Sequence, residues 1–274
     1  FILLLSMASV FGIYLFGKEM FSKRLGLIAA FFMSVFYMCL FQTYRVLVDL
    51  PSLTFFIFSA FFFYKYFKTN KNKMLYLGAV LIGIGTLFRI TTAMLLFAIF
   101  IYVLITERLN FLKKKEYWIA ALIYLIVLSP YILWGYLQFH GFVITQAGGW
   151  NAPEGSYLMN GLSNIKGYLS VLDFDLTLPL LILFCLGIIL MYKLILGFDV
   201  LIKGNNLEIK RDLLLILLFI IPILVVSFSV KDPGFYDDRY IITAFPAIFI
   251  ISSAFILKSY DFLKKKNKMI AIII

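Results

Sequence analysis

Apolar residues fill the chain in long runs, broken by short polar stretches. The runs fall near residues 1–17, 25–41, 50–64, 74–88, 90–106, 117–137, 178–197, 213–230 and 240–257, and a tenth begins at Met269. A helix needs about 20 apolar residues to cross a bilayer, within a range of roughly 17–25. The pattern predicts an all-α, polytopic helical membrane protein with about nine full transmembrane helices and a truncated tenth. Several runs sit at or below the minimum, so their ends must reach into the interface or pack on neighbours. Between Met74 and Thr106 lie 33 residues whose only charge is Arg89. As one helix they would extend about 50 Å, too far for a bilayer, so they read as two spans joined by a tight turn at Arg89. Residues 138–177 form the longest polar interval, rich in Gly, Asn, Ser and Tyr. They read as a long loop without obvious structure, the kind that is usually functional or disordered. There is no internal repeat, so 1–274 reads as a single transmembrane domain. Its first run opens at Phe1 and its last ends at Ile274, which reads as a fragment cut within the membrane at both ends. The opening run shows neither a charged leader nor a cleavage site and does not read as a signal peptide.

Composition supports this class and removes others. The chain is 63% hydrophobic and 14% charged, with a mean hydropathy of +1.00. Soluble domains average about 45–50% apolar and about 25% charged residues. A soluble fold of this length would leave the excess apolar surface in water. A soluble enzyme, a disordered chain and a nucleic-acid-binding domain are thereby excluded. Cys39 and Cys185 both lie inside apolar runs and read as small hydrophobes. The net charge of +11 is a topology signal, because alternate loops hold 20 of the 25 basic residues. That set is cytoplasmic by the positive-inside rule. The other set holds only Arg45, Arg89, Lys166, Lys231 and Arg239, against seven acids: Asp49, Glu154, Asp173, Asp175, Asp232, Asp237 and Asp238. Residues 138–177 are then external, and any chemistry belongs on the outer face.

A few residues there have the chemistry for a site. Asp49, between Val48 and Leu50, sits at the mouth of the third span, where ionised groups are costly and usually mark function. It also precedes Pro51 as a helix cap would, and both readings stand. Arg89, where basic residues are scarce, suits a phosphate or snorkels to the interface. Asp237-Asp238-Arg239-Tyr240 opens a span carrying Pro246; the plain alternative is a solvated charged loop with a local Asp–Arg pair and an interfacial Tyr. Arg45, Trp150 and Tyr157 are candidate acceptor or sugar contacts, the two aromatics being equally interfacial anchors. His140 is the only histidine, and no metal-ligand spacing surrounds it. Phosphate-binding loops, a GxSxG elbow and a dinucleotide fingerprint are all missing, so soluble nucleotide donors are not suggested.

Read in order, these pieces resemble a family. Gly17-Lys18-Glu19-Met20-Phe21-Ser22-Lys23-Arg24-Leu25-Gly26-Leu27-Ile28-Ala29-Ala30 is similar to the second-to-third-span connection of polyprenyl-phosphate-sugar-dependent glycosyltransferases. These have the GT-C fold and include protein O-mannosyltransferases and lipid A aminoarabinose transferases. They carry an Asp followed by a long apolar helix, as Asp49-Leu50-Pro51 through Phe63 does, and a basic residue in a short external turn two spans later, where Arg89 stands. They also have an Arg-Tyr before a proline, matched by Arg239-Tyr240-Ile241-Ile242-Thr243-Ala244-Phe245-Pro246. The resemblance implies an inverting membrane glycosyltransferase acting at the outer face of the plasma (inner) membrane. Its donor would be a sugar on a polyprenyl phosphate, and its acceptor a hydroxyl on a protein, lipid or glycan. Arg89, Arg239 and Tyr240 would hold the donor phosphate. Asp49 would be an acid behind them, an acceptor or metal contact, or the base itself, with Asp237 and Asp238 as further acceptor contacts. No nucleotide cofactor is implied; a divalent metal is compatible with some relatives, and nothing in the sequence indicates one. The family's principal catalytic acid lies in a loop that would precede Phe1.

Two other classes compete. A secondary transporter or polysaccharide flippase would place ionisable groups near mid-membrane, often in repeated halves, whereas these charges sit at span ends. A non-catalytic membrane subunit would be told apart by the sequence before Phe1.

Overall fold

The computed structural model describes residues 1–45, 47–139, 157–191, 207–229 and 237–266, and every regular element among them is helical. The helices are α1 Ile2–Met20, α2 Lys23–Val35, α3 Tyr37–Arg45, α4 Asp49–Thr69, α5 Asn72–Phe88, α6 Met94–Glu107, α7 Lys115–Phe139, α8 Tyr157–Asp175, α9 Leu178–Ile189, α10 Leu207–Ser229 and α11 Phe245–Lys266. Short 3₁₀ turns at Ile90–Ala93, Arg108–Lys113, Asp238–Tyr240 and Ile242–Ala244 link or open them.

Among the described residues six helices are long and apolar enough to cross a membrane: Ile2–Met20, Asp49–Thr69, Ile90–Lys113, Lys115–Gln138, Leu207–Ser229 and Ile242–Lys265. The pair α2 and α3 passes only as one span bent by 54°, and α5 and α9 are shorter apolar helices. Among the described residues, six of the nine expected spans thus meet the length test. α9 has 12 residues, about 18 Å of helix, which falls short of the hydrocarbon thickness. The tenth run lies outside the described residues.

Two departures from the sequence pattern have physical causes. The second apolar run is not one straight helix. Phe36 leaves the helical region (φ −71°, ψ 120°), and its ring seats between Phe245 and Phe249 of α11, at 4.5 and 5.2 Å. Aromatic packing replaces the continued helix at that point. The second departure is the interval 138–177, expected as an unstructured loop, whose second part is α8. Gly161, Asn164, Tyr168 and Leu172 are buried at helical spacing. The stripe is masked in sequence by small and polar members. Gly161 admits the Phe228 ring of α10 at a distance that a side chain would block, and Asn164 donates to the Ser227 carbonyl at 3.0 Å.

The remaining local structure follows ordinary rules. Ser22 accepts a hydrogen bond from the Leu25 amide and caps α2. Asn70, in the left-handed region at φ 53°, ends α4, a position that Asn tolerates. The break at Arg89 is where the charge pattern predicted it: α5 stops at Phe88, and Arg89 is extended before the 3₁₀ turn. The tight α1–α2 hairpin depends on two glycines. A Cβ at Gly26 would lie 2.4 Å from the Tyr14 carbonyl oxygen, and one at Gly17 would lie 3.0 Å from the Gly26 Cα. α4 and α11 are the most buried spans and α7 the least.

The two ends of the bundle differ chemically. One end gathers the α1 and α4 C-termini, joined by Lys68–Glu19 at 2.9 Å, with Arg211 of α10 over the Phe21 ring at 3.8 Å. It is the lysine-rich end. At the other end Thr54 donates to the Leu5 carbonyl near the α1 N-terminus, and the α4 N-terminus meets the turn at Arg89.

Candidate functional site

Asp49 is the first residue of α4, yet it does not cap the helix. Val48 holds the cap position, and no side chain bonds the exposed amides. The carboxylate is instead 98% shielded and forms an ion pair with the Arg89 guanidinium, itself largely buried. Of the two readings open for Asp49, capping is therefore not what the side chain does. Pro51 stands in the first turn of α4, where a missing N–H leaves no bond unmade.

Close packing brings Arg89 within reach. The Arg89 amide bonds to the Gly85 carbonyl and closes α5 at 3.0 Å. Thr92 returns over the same glycine: its hydroxyl donates to the Gly85 carbonyl at 3.0 Å and lies 2.6 Å from the Ser52 hydroxyl of α4. A Cβ at Gly85 would sit 2.7 Å from Thr92 and 2.8 Å from Phe55, so only glycine permits this approach. Phe55 and Phe88 stack nearly parallel with centroids 5.6 Å apart. Ser52, Thr92 and Gly85 are the fixtures behind the ion pair that the sequence pattern did not single out; a Thr-Thr pair just past a basic turn was the available signal.

The other face of Arg89 is covered from far along the chain. Its guanidinium lies over the Tyr240 ring, 4.9 Å from the centroid. Tyr240 ends the 3₁₀ turn Asp238–Tyr240 at the mouth of α11, whose second residue is Pro246. Arg239 turns the other way. Its Nε donates to both carboxylate oxygens of Asp237, at 2.9 and 2.8 Å, with Nη2 closing an ion pair. Its side chain stays 42% exposed, open to a ligand. Burial opposes ionisation of Asp237, but the hydrogen bonds from Arg239 hold its carboxyl below the usual carboxylate range. Those same bonds push the Arg239 guanidinium up. Asp238 shifts the opposite way, raised first by burial and then by Asp237.

Asp49, Arg89 and Tyr240 thus meet, with Asp237, Asp238 and Arg239 on the same turn as Tyr240. Arg45 does not join them. It is exposed and lies over the Phe41 ring of its own helix at 4.3 Å. Tyr157 is the first residue of α8; its side chain, Trp150 and His140 lie outside the described residues. Asp175, counted in sequence only as one more outer acid, ends α8 beside Asp238. Among the described residues no three His, Cys, Asp or Glu side chains converge as a metal site requires.

A buried acid–guanidinium pair covered by a tyrosine thus stands at a span boundary. Residues 1–134 match the dolichyl-phosphate-mannose-protein mannosyltransferase family model. The match takes in the Gly17–Ala30 connection, Asp49 and Arg89. Arg239 and Tyr240 lie beyond it, and Tyr240 packs against Arg89. No curated protein and no solved structure matches the chain.

Proposed function

We propose that this protein transfers a sugar from a polyprenyl phosphate to an acceptor hydroxyl at the outer membrane face. The observation that supports this most is Arg89, held between the Asp49 carboxylate and the Tyr240 ring at the end opposite the lysine-rich loops. Breaking the anomeric C–O bond leaves negative charge on the departing phosphate. A preorganised guanidinium offsets that charge as it grows. Arg89 is fixed by its acid and its aromatic partner, and so needs no reorganisation during the reaction. Arg239, more exposed, adds a second fork from the α11 side, and Tyr240 presents its hydroxyl beside them. Asp49 acts through Arg89, as the counter-charge that fixes where the guanidinium points. Attack by the acceptor oxygen on the face opposite the phosphate inverts the anomeric centre.

The face assignment rests on charge. Lys23, Lys68, Lys114 and Arg211 mark the cytoplasmic end, so the Arg89 end faces outward, away from a cytoplasmic supply of nucleotide sugars. A lipid-carried donor fits that side.

The test uses the purified full protein in lipid nanodiscs with a panel of polyprenyl-phosphate sugars, following release of polyprenyl phosphate. Arg89→Ala and Arg239→Ala are each expected to slow release at least about tenfold, about 1.4 kcal/mol of barrier. Rates equal to the unaltered protein would remove those residues from the donor site. Movement of the lipid-linked sugar between leaflets without release would identify a flippase instead.

A further inference from the structure

At the lysine-rich end a cleft of about 200 Å³ opens between the C-terminal parts of α1, α4 and α6 and the first turn of α10. That is several times the volume of about 30 Å³ that one water takes, so a phosphate group fits. Its charged lining is lopsided: Lys68, Lys210 and Arg211 face Glu208 across it. The acids that pair with two of these cations stand behind the wall. Glu19 holds Lys68 at 2.9 Å and Asp212 holds Arg211 at 2.8 Å, and neither acid lines the cleft. The cleft therefore presents positive charge, while the ion pairs fix the cations before a ligand arrives.

Arg211 has the most specific geometry. Its side chain is largely buried, and its guanidinium carbon lies 3.8 Å from the centroid of the Phe21 ring. Nε donates to Oδ1 of Asp212, and Nη2 closes the ion pair on the same oxygen. Nη1 bonds to nothing among the described residues. A guanidinium held along one edge by a carboxylate and over an aromatic ring keeps its other edge for a phosphate oxygen. α10 begins at Leu207, so the positive end of its dipole lies at the same mouth.

Depth and lining favour a lipid over a free ion. Tyr64 and Tyr102 line the cleft at positions five residues before the ends of α4 and α6, about 7.5 Å of helix rise. Lys68 stands in the last turn of α4 and Lys210 in the first of α10, at the mouth. Phe67 and Leu207 add apolar wall beside them. A free phosphate ion leaves that wall in water, whereas the glycerol and first methylenes of a lipid bury it. Basic pockets between spans on the positive side of a membrane protein suit lipid headgroups. We propose that this cleft binds the phosphate of an anionic phospholipid from the leaflet at the lysine-rich end, with Arg211 and Lys68 as principal donors and Lys210 at the mouth. The site lies at the opposite end of the bundle from Arg89 and does not depend on the transfer reaction. A lipid so held ties the start of α10 to α1, α4 and α6.

The test uses the full protein in detergent micelles, with dioleoyl phosphatidylglycerol, dioleoyl phosphatidylcholine and inorganic phosphate added separately. Native mass spectrometry counts bound lipid, and thermal melting reads the stabilisation. Phosphatidylglycerol is expected to bind saturably and raise the melting temperature, and the other two are not. Lys68→Gln and Lys210→Gln should each weaken its binding by about fivefold or more. Arg211→Lys keeps the charge beside Asp212 but loses the fork, and should weaken binding as well. Lys23→Gln removes an exposed charge at the same end, outside the cleft, and should change nothing. Equal binding of phosphatidylcholine, or an equal loss in Lys23→Gln, overturns the site in favour of general attraction to that end. Saturation by inorganic phosphate, lost in the same lining variants, overturns the lipid assignment in favour of a soluble anion. Unchanged binding in Lys68→Gln, Lys210→Gln and Arg211→Lys overturns the proposal outright.

Discussion

At the scale of single residues, the Asp49–Arg89 pair decides most. Because Asp49 caps nothing, Asn has no advantage over Ala at this position, although both Asp and Asn cap well elsewhere. Asp49→Asn and Asp49→Ala are expected to slow donor turnover alike, by about 10- to 100-fold, or about 1.4–2.8 kcal/mol. Near-normal activity for Asn with a crippled Ala variant would return Asp49 to a capping role. Stability offers an independent check. Removing one member of a buried pair leaves an uncompensated charge and costs about 3–5 kcal/mol, whereas removing both costs less. The double variant Asp49→Asn with Arg89→Gln should therefore melt above the temperature that the two single losses predict when added. Additive losses would mean that the two side chains do not interact. Both residues were visible in the sequence as isolated charges at span mouths. Their partnership was not, since 40 positions separate them and neither carries a sign of the other. The burial of Asp175 was harder still to read, because it ends a helix that the composition of residues 138–177 conceals.

At the scale of elements, apolar runs identified helices well and their lengths poorly. The break at Arg89 was legible because a lone charge among 33 residues of apolar character is tolerated at a membrane boundary and costly at mid-span. The bend at Phe36 was not, because no Pro or Gly marks it; the cause is a tertiary contact with α11. The α1–α2 connection shows why its glycines stand where they do. Gly26→Ala should destabilise the protein by about 1–3 kcal/mol through overpacking against the Tyr14 backbone. Gly17→Ala should cost less, because its contact is looser. Thermal melting in detergent distinguishes them, and equal melting of both variants with the unaltered protein would deny the close approach.

For the whole molecule, charge asymmetry and structure agree on which chain segments share an end. With Cys39 and Cys185 replaced, a cysteine at Ser163 on α8 should react with an impermeant maleimide from outside intact cells. One at Lys113, in the turn after α6, should react only after permeabilisation. Both positions are exposed; the opposite result would invert the protein and move the site to the cytoplasm. The same ion pair also constrains how the chain is made. Asp49 enters the membrane forty residues ahead of Arg89, a lag of roughly 2–8 s at common translation rates. During that interval α4 carries an unneutralised acid at its leading edge. Lateral release of α4 from the insertion machinery is thus favoured only once α5 has followed and the turn has delivered its cation, which makes α4 to α6 a single unit of biogenesis and Tyr240, added much later, the residue that locks a site already assembled.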